Sequence, residues 1–300
     1  MWDGFSTRPR PRSGRPSGGG RVENPSHIKV AFNFVQGWSF VVLLFLACAA
    51  PEPARRLPRR IVSLAPNVTE ILFALGAGDR VVGTDDFSDE PARAKSLPKV
   101  GGVQPDVEKI VALKPDLVIA NAAGLHPNVS RAMAAVHVPL LVVRNERLAD
   151  VAVSMRRIAS ALAVPSDRAE AELGRALGEQ RRMRARAPRV MLAVWTDPLY
   201  VAGRETFTDD LFLLAGATNA VTVMGWPQYS LEAFIAAPPD ILIVPNRSVT
   251  PAQAEALMAR ARTPNVKVVF VDENVFTRPG PRVGEAARLL NAILDAWEKR

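Results

Sequence analysis

Between residues 60 and 143 the chain alternates short runs of branched apolar residues with stretches whose apolar positions recur every three or four residues. The short runs, at 61–64, 80–84, 117–120 and 140–143, read as buried strands, and the periodic stretches between them read as helices. Strands that alternate with helices predict a mainly parallel sheet with helical crossovers. The pattern then comes round again. Thr69-Glu70-Ile71-Leu72-Phe73-Ala74-Leu75-Gly76-Ala77 is echoed by Asp209-Asp210-Leu211-Phe212-Leu213-Leu214-Ala215-Gly216-Ala217, each an amphipathic helix stopped by glycine. Val107-Glu108-Lys109-Ile110-Val111-Ala112-Leu113-Lys114-Pro115-Asp116-Leu117-Val118-Ile119-Ala120 returns as Leu231-Glu232-Ala233-Phe234-Ile235-Ala236-Ala237-Pro238-Pro239-Asp240-Ile241-Leu242-Ile243-Val244. Both copies predict a short helix opening at a glutamate, a Pro-Asp stop and a buried strand. The expected fold is α/β: two similar Rossmann-like lobes with a ligand cleft between them.

Residues 148–163 and 166–186 carry helical spacing and separate the two copies, broken only by Val164-Pro165. Pro165 fits either the first turn of a resumed helix or a kink in one continuous helix. At roughly 1.5 Å per residue such a connector would span a small domain and act as a long rigid strut that limits hinge motion. A last amphipathic helix is expected over 281–299, its stripe formed by Val283, Ala287, Leu290, Ile293, Leu294 and Trp297. The expected divisions are a leader over 1–47, a tether over 48–59, a first lobe over 60–143, a connecting helix over 144–187 and a second lobe over 188–300.

Charge changes the picture at the start of the chain. The net charge is +8, and within 1–47 six basic residues (Arg8, Arg10, Arg12, Arg15, Arg21, Lys29) face only Asp3 and Glu23. This basic stretch precedes the apolar run Trp38 to Ala47, shorter than the ~20 residues a membrane span needs and suited to a signal peptide. Its unusual length reads as a start codon downstream of Met1 or as a basic extension. Cys48, the only cysteine, follows at once; it cannot form an internal disulfide and stands where a lipoprotein signal places its lipidated residue, the alternative being plain cleavage near Ala50. The basic tail has no interleaved aromatics, which argues against a nucleic-acid partner. No Gly-x-Gly-x-x-Gly follows 61–64, and neither a Walker loop nor a Gly-x-Ser-x-Gly elbow occurs, so an exported α/β enzyme is the weaker reading.

Ile61-Val62-Ser63-Leu64-Ala65-Pro66-Asn67-Val68-Thr69-Glu70, together with the order lobe, helical connector, lobe, resembles the periplasmic substrate-binding proteins of metal-chelate ABC importers, the helical-backbone class. The likeness covers about residues 58 to 298. Within the class it is nearest to the cobalamin (vitamin B12)-binding members, through Asp85-Asp86-Phe87-Ser88-Asp89-Glu90-Pro91, Lys99-Val100-Gly101-Gly102, Trp195-Thr196-Asp197-Pro198-Leu199-Tyr200-Val201-Ala202-Gly203 and Gly225-Trp226-Pro227-Gln228-Tyr229-Ser230.

The resemblance implies capture and delivery without chemistry. A small-molecule metal chelate, cobalamin as the transported ligand with no intrinsic cofactor, is bound in the periplasm or cell envelope and passed to an ABC importer permease dimer and its ATPase. Membrane contact would come only through a lipid anchor at Cys48. Open α/β sheets bind ligands beyond the carboxyl ends of their strands, and Phe87, Trp195, Tyr200 and Trp226 fall in such loops, where aromatic faces suit an apolar corrin. Trp195 and Trp226 also fit simple packing. Asn121 and Asn274 could hydrogen-bond ligand amides, at positions where relatives often carry an aromatic and an acid. Arg278 and Arg282, in Thr277-Arg278-Pro279-Gly280-Pro281-Arg282, could donate to the ligand, or Arg282 could fix its own loop by a salt bridge. Glu108 and Glu232 match the acids that engage permease arginines in the family; first-turn helix electrostatics is the alternative. No residue is expected to be a resident metal ligand, with His126 the single candidate for an axial contact and His137 structural. The same fold holding haem, through Tyr200, Tyr229 or His126, or a ferric siderophore, through a cationic pocket, is the alternative cargo.

Overall fold

The computed structural model of the protein describes residues 57–299. The expected leader, Cys48 and most of the tether lie outside the described residues. The first lobe contains β1 (Ile61–Ser63), β2 (Val81–Thr84), β3 (Leu117–Asn121) and β4 (Leu140–Val143) in the order β2-β1-β3-β4, every pair parallel. Helices α1 (Pro66–Ala74), α2 (Val107–Ala112) and α3 (Pro127–Ala135) make the crossovers. Alternation along the strands sends Ile61 and Ile119 into one core with Ile71 and Leu72 of α1, and Val62 and Val118 into another with Ile110 of α2 and Met133 of α3. A sheet covered on both faces needs apolar residues at consecutive positions, which is why these strands read as unbroken runs. Each fully buried aliphatic side chain of this kind stabilises the fold by about 1.5–3 kcal/mol.

The connector is helical, but it consists of two helices, α4 (Leu148–Leu162) and α5 (Asp167–Gln180). Ala163 takes a left-handed conformation, φ 49°, and Pro165 lies in the break before Ser166 caps α5, so it neither kinks a continuous helix nor opens the next one. The parts are nonetheless tied to both lobes. Val151, Met155, Ile158 and Leu162 of α4 and Leu173 of α5 are buried in the first core, while Leu148 and Leu177 pack against the cores of both lobes.

In the second lobe β5 (Arg189–Thr196), β6 (Leu199–Val201), β7 (Thr218–Asn219), β8 (Ile241–Pro245) and β9 (Lys267–Val271) form one sheet along β6-β5-β8-β9, with β7 also on β5. All pairs are parallel except β5 with β6. Its helices are α6 (Phe207–Leu214), α7 (Leu231–Ala236), α8 (Pro251–Ala261), α9 (Glu273–Phe276) and α10 (Val283–Glu298). The expected stripe of α10 is internal: Val283, Ala287, Leu290 and Leu294 are buried, and Ile293 and Trp297 pack at its edge. Val283 reaches the core of the first lobe. Where α10 crosses α5, a Cβ on Gly284 would stand 2.6 Å from that of Ala176, so only glycine allows this approach.

The internal repeat survives in atomic detail. α1 and α6 both end on a glycine of positive φ, Gly76 at 72° and Gly216 at 75°. The next residue closes each helix by a long backbone bond, Ala77 N to Leu72 O and Ala217 N to Phe212 O, both 2.9 Å; this satisfies carbonyls that the helix end would otherwise leave bare. The two Pro-Asp stops also share a task. Asp116 accepts from the backbone N–H groups of Arg59 and Arg60 at 2.8 and 2.9 Å, and Asp240 accepts from Arg189 N at 2.8 Å. Each carboxylate thus anchors the entry to the central strand of its own sheet.

Candidate functional site

The loops that leave the carboxyl ends of β1, β2 and β3 meet the loops that leave β8 and β9 around a cavity of about 580 Å³. This is where parallel α/β sheets place ligands, because loops there are free of the packing that fixes the strands. A larger hollow, about 760 Å³, lies among α4, α5 and α6; it is walled almost wholly by helices, with Arg147 just before α4, whereas loops from five strands converge on the inter-lobe cavity, which is therefore the candidate site.

Four of the eight expected ligand residues, Phe87, Asn121, Asn274 and Arg278, line this cavity. Phe87 is 53% exposed, and its ring passes close to Gly102, where a Cβ would stand 3.0 Å from Cε2. Asn121 ends β3 and uses its carbonyl to accept from Ala123 N at 3.2 Å, leaving its amide NH₂ free of partners among the described residues. Asn274 and Arg278 are engaged within the protein. Arg278 spans the lobes, donating to Asp89 Oδ1 at 2.6 Å, to the Phe87 carbonyl at 3.0 Å and to Asn274 Oδ1 at 2.6 Å. Asn274 in turn donates to Asp89 Oδ2 at 3.0 Å and accepts from Arg247 at 3.2 Å.

Arg282, Trp195, Tyr200 and Trp226 are not among the lining residues. Arg282 forks onto Glu285 Oε2 at 3.1 and 3.0 Å, the loop-fixing salt bridge among its two readings. Trp195 and Tyr200 are cross-strand partners of the β5–β6 pair, and Tyr200 also bridges to Gln228. Trp226 tilts over the buried Phe207, ring centroids 6.4 Å apart. All three remain partly open to solvent on the second lobe.

Asp85, Asp89, Glu70, Arg247 and Glu273 were not singled out by the sequence, although the first three lie in stretches that carried the family likeness. Burial pushes the Asp85 carboxyl up, against hydrogen bonds from Ser88 and the Phe87 N–H and the nearby charges of Lys99 and Arg278. Burial also acts on Asp89, but the hydrogen bond and charge of Arg278, with Arg247 behind it, outweigh this and hold its carboxyl below the usual range. Beyond those stretches, the sequence signal for Asp85, Asp89, Arg247 and Glu273 is their place after strands, and Glu70 lies within α1.

His126 caps α3, its Nδ1 accepting from Asn128 N at 3.3 Å. No group of three or more His, Cys, Asp or Glu among the described residues could hold a metal ion. Glu108 and Glu232 are exposed second residues of α2 and α7, in helices capped by Asp106 and Ser230, and neither forms an ion pair among the described residues. Among those residues no helix is long and apolar enough to cross a membrane.

A family model described as periplasmic binding protein matches residues 61–269. The vitamin B12-binding protein of Pectobacterium atrosepticum is 31% identical over 255 residues, 81% of this chain and 90% of the relative. Among solved structures, the periplasmic heme-binding protein RhuT from Roseiflexus sp. RS-1 is 31% identical with a TM-score of 0.66, over 78% of this chain and 97% of that one. The periplasmic vitamin B12 binding protein BtuF of Vibrio cholerae shares the fold at 22% identity and a TM-score of 0.61, over 81% of this chain and 99% of that one. With the strand-end cavity between two α/β lobes, these likenesses show that the chain belongs to the periplasmic binding protein family, substrate-binding transport proteins of the periplasm that work with ABC transporter permeases.

Proposed function

We propose that this chain captures cobalamin in the inter-lobe cavity and delivers it to an inner-membrane permease through Glu108 and Glu232. One observation carries the cargo assignment: beside the charged Asp85, Arg247, Glu273 and Arg278 the cavity is lined by the amides and hydroxyls of Asn67, Asn121, Asn274, Ser248 and Thr277, and no His, Tyr, Met or Cys is among its lining residues. Cobalamin brings its own metal, its own axial ligands and a rim of amides, so it asks the protein for apolar surface and hydrogen bonds. Phe87, Leu64 and Val103 supply the apolar wall. In this reading the exposed Trp195, Tyr200 and Trp226 add stacking surface for the corrin, and the free amide of Asn121 donates to a ligand carbonyl.

Haem is the second reading, kept by the names of similar structures. It needs an axial ligand from the protein, yet His126 is a helix cap and Tyr229 packs on the core of the second lobe, which leaves Tyr200 as its candidate. A ferric siderophore would favour a cationic pocket; here Arg247 and Arg278 are faced by Asp85, Asp89 and Glu273. Binding and release complete the cycle, with no bond made or broken in the cargo and ATP hydrolysis in the importer driving release. Cys48, outside the described residues, is proposed as a lipid anchor.

Titration of the purified chain with cyanocobalamin, haemin and a ferric catecholate tests the assignment. We expect one-to-one binding of cobalamin at least about 100-fold tighter than haem, roughly 2.8 kcal/mol. Tighter haem binding with a shifted Soret band would overturn the cargo and leave the family standing.

A further inference from the structure

The seam beside the cavity contains a carboxyl group that nothing in the cargo reading uses. Glu70 extends from α1 of the first lobe toward the 277–282 loop of the second, with only 5% of its surface exposed. Among the described residues neither of its oxygens has a hydrogen-bond partner of good geometry, and Nη1 of Arg282, 3.9 Å away, is also without one. Arg278 Nη1 stands 3.5 Å from the same oxygen. Gly280 brings the loop backbone so close that a Cβ there would lie 3.3 Å from the other oxygen. A buried carboxylate left without hydrogen bonds is costly, and a neutral acid at such a place costs much less.

The charges around the seam point the same way. Arg278 is already held by Asp89 at 2.6 Å, and Arg282 by Glu285 at 3.0 Å. Arg247 lies 3.7 Å from Asp89 and also serves that carboxylate. Glu90 adds a like charge near Glu70. Asp85, buried on the loop after β2, faces Lys99 and Arg278. Both guanidinium groups that face Glu70 thus have another carboxylate as their nearer partner, and Glu70 is a surplus anion when ionised.

We propose that Glu70 is carried as a neutral acid in the seam between the lobes, and that its ionisation loosens the grip of the 277–282 loop on α1, so that the fit of the lobes around the cavity responds to protons. Desolvation pushes the carboxyl up to about 7, against the charges of Arg282 and Arg278 and the long 3.5 Å approach of the Arg278 donor, and with the help of Glu90. A carboxyl raised in the folded state stabilises the fold below its ordinary value near 4.5, and that contribution is lost as pH rises through about 7. Asn67, Arg278 and Pro279 belong both to this seam and to the cavity lining. A change in the seam therefore reaches the walls that hold cargo.

The test uses the ligand-free full chain, so it stands whether or not cobalamin proves to be the cargo. Thermal unfolding midpoints are measured from pH 5.5 to 8.5 for the wild type and Glu70→Gln, a neutral isostere. The wild type is expected to lose about 5 °C relative to Glu70→Gln across that window, with the protection of amides in 277–282, after correction for the intrinsic rise of exchange with pH, falling above neutral pH only in the wild type. Parallel curves for the two proteins would overturn the proposal. Isotope-edited infrared spectroscopy of the wild type gives a reading that does not depend on the variant folding: a protonated carboxyl band should fade with a midpoint near 7, and a carboxyl ionised throughout the window would overturn it.

Discussion

Asp116 and Asp240 show how much a single repeated residue can carry. Each ends a Pro-Asp stop, and each carboxylate accepts backbone N–H groups at the start of the strand beside it. Replacing Asp240 by alanine leaves the Arg189 N–H short of this partner and should cost about 1–2 kcal/mol in urea unfolding, with Asp116→Ala at the lower end because its site is exposed. An unchanged midpoint for both would show that these bonds merely replace water. Phe87 and Asn121 were legible from their place in loops after strands. The roles of Arg278 and Asn274 were not, because their partner Asp89 lies 189 and 185 residues away and only the fold brings them together. Glu70 was equally silent, since burial of an acid in an amphipathic helix depends on what the other lobe presses against it.

At the level of elements, the strands of the first lobe and both connector helices fall close to their expected places, because parallel strands buried on two faces leave an unmistakable apolar run. Two features were hidden. The break after Leu162 falls beside the expected interruption at Val164-Pro165, but the left-handed conformation of Ala163 that makes it is one alanine does not favour. The short strand β6 turns back antiparallel on β5 and pairs Tyr200 with Trp195, so aromatics expected in cleft loops sit instead on a sheet edge. The helices α2 and α7 are the elements proposed to meet the permease. Their glutamates are exposed on equivalent turns, and first-turn electrostatics alone would not require them to lack partners. The double variant Glu108→Arg, Glu232→Arg should lower permease affinity at least about tenfold, roughly 1.4 kcal/mol, with cobalamin affinity unchanged. Equal permease binding by the variant in a pull-down with the importer would remove the docking assignment.

Across the whole molecule, the lobes are coupled rather than merely tethered. Leu148, Leu177 and Val283 pack across the boundary, and α5 crosses α10 at a contact that admits only glycine. Asp210 adds a polar tie, accepting from Arg147 Nε and Leu148 N at 2.9 Å each. Such a joint permits small adjustments of the cavity walls and resists wide opening. Calorimetric titration of cyanocobalamin into the wild-type chain and into Ala123→Trp, which fills the cavity from its rim, locates the cargo. One-to-one binding by the wild type, lost or weakened at least about 100-fold in the variant at an unchanged unfolding midpoint, is the predicted result; equal binding by both would place the cargo outside this cavity and contradict the account.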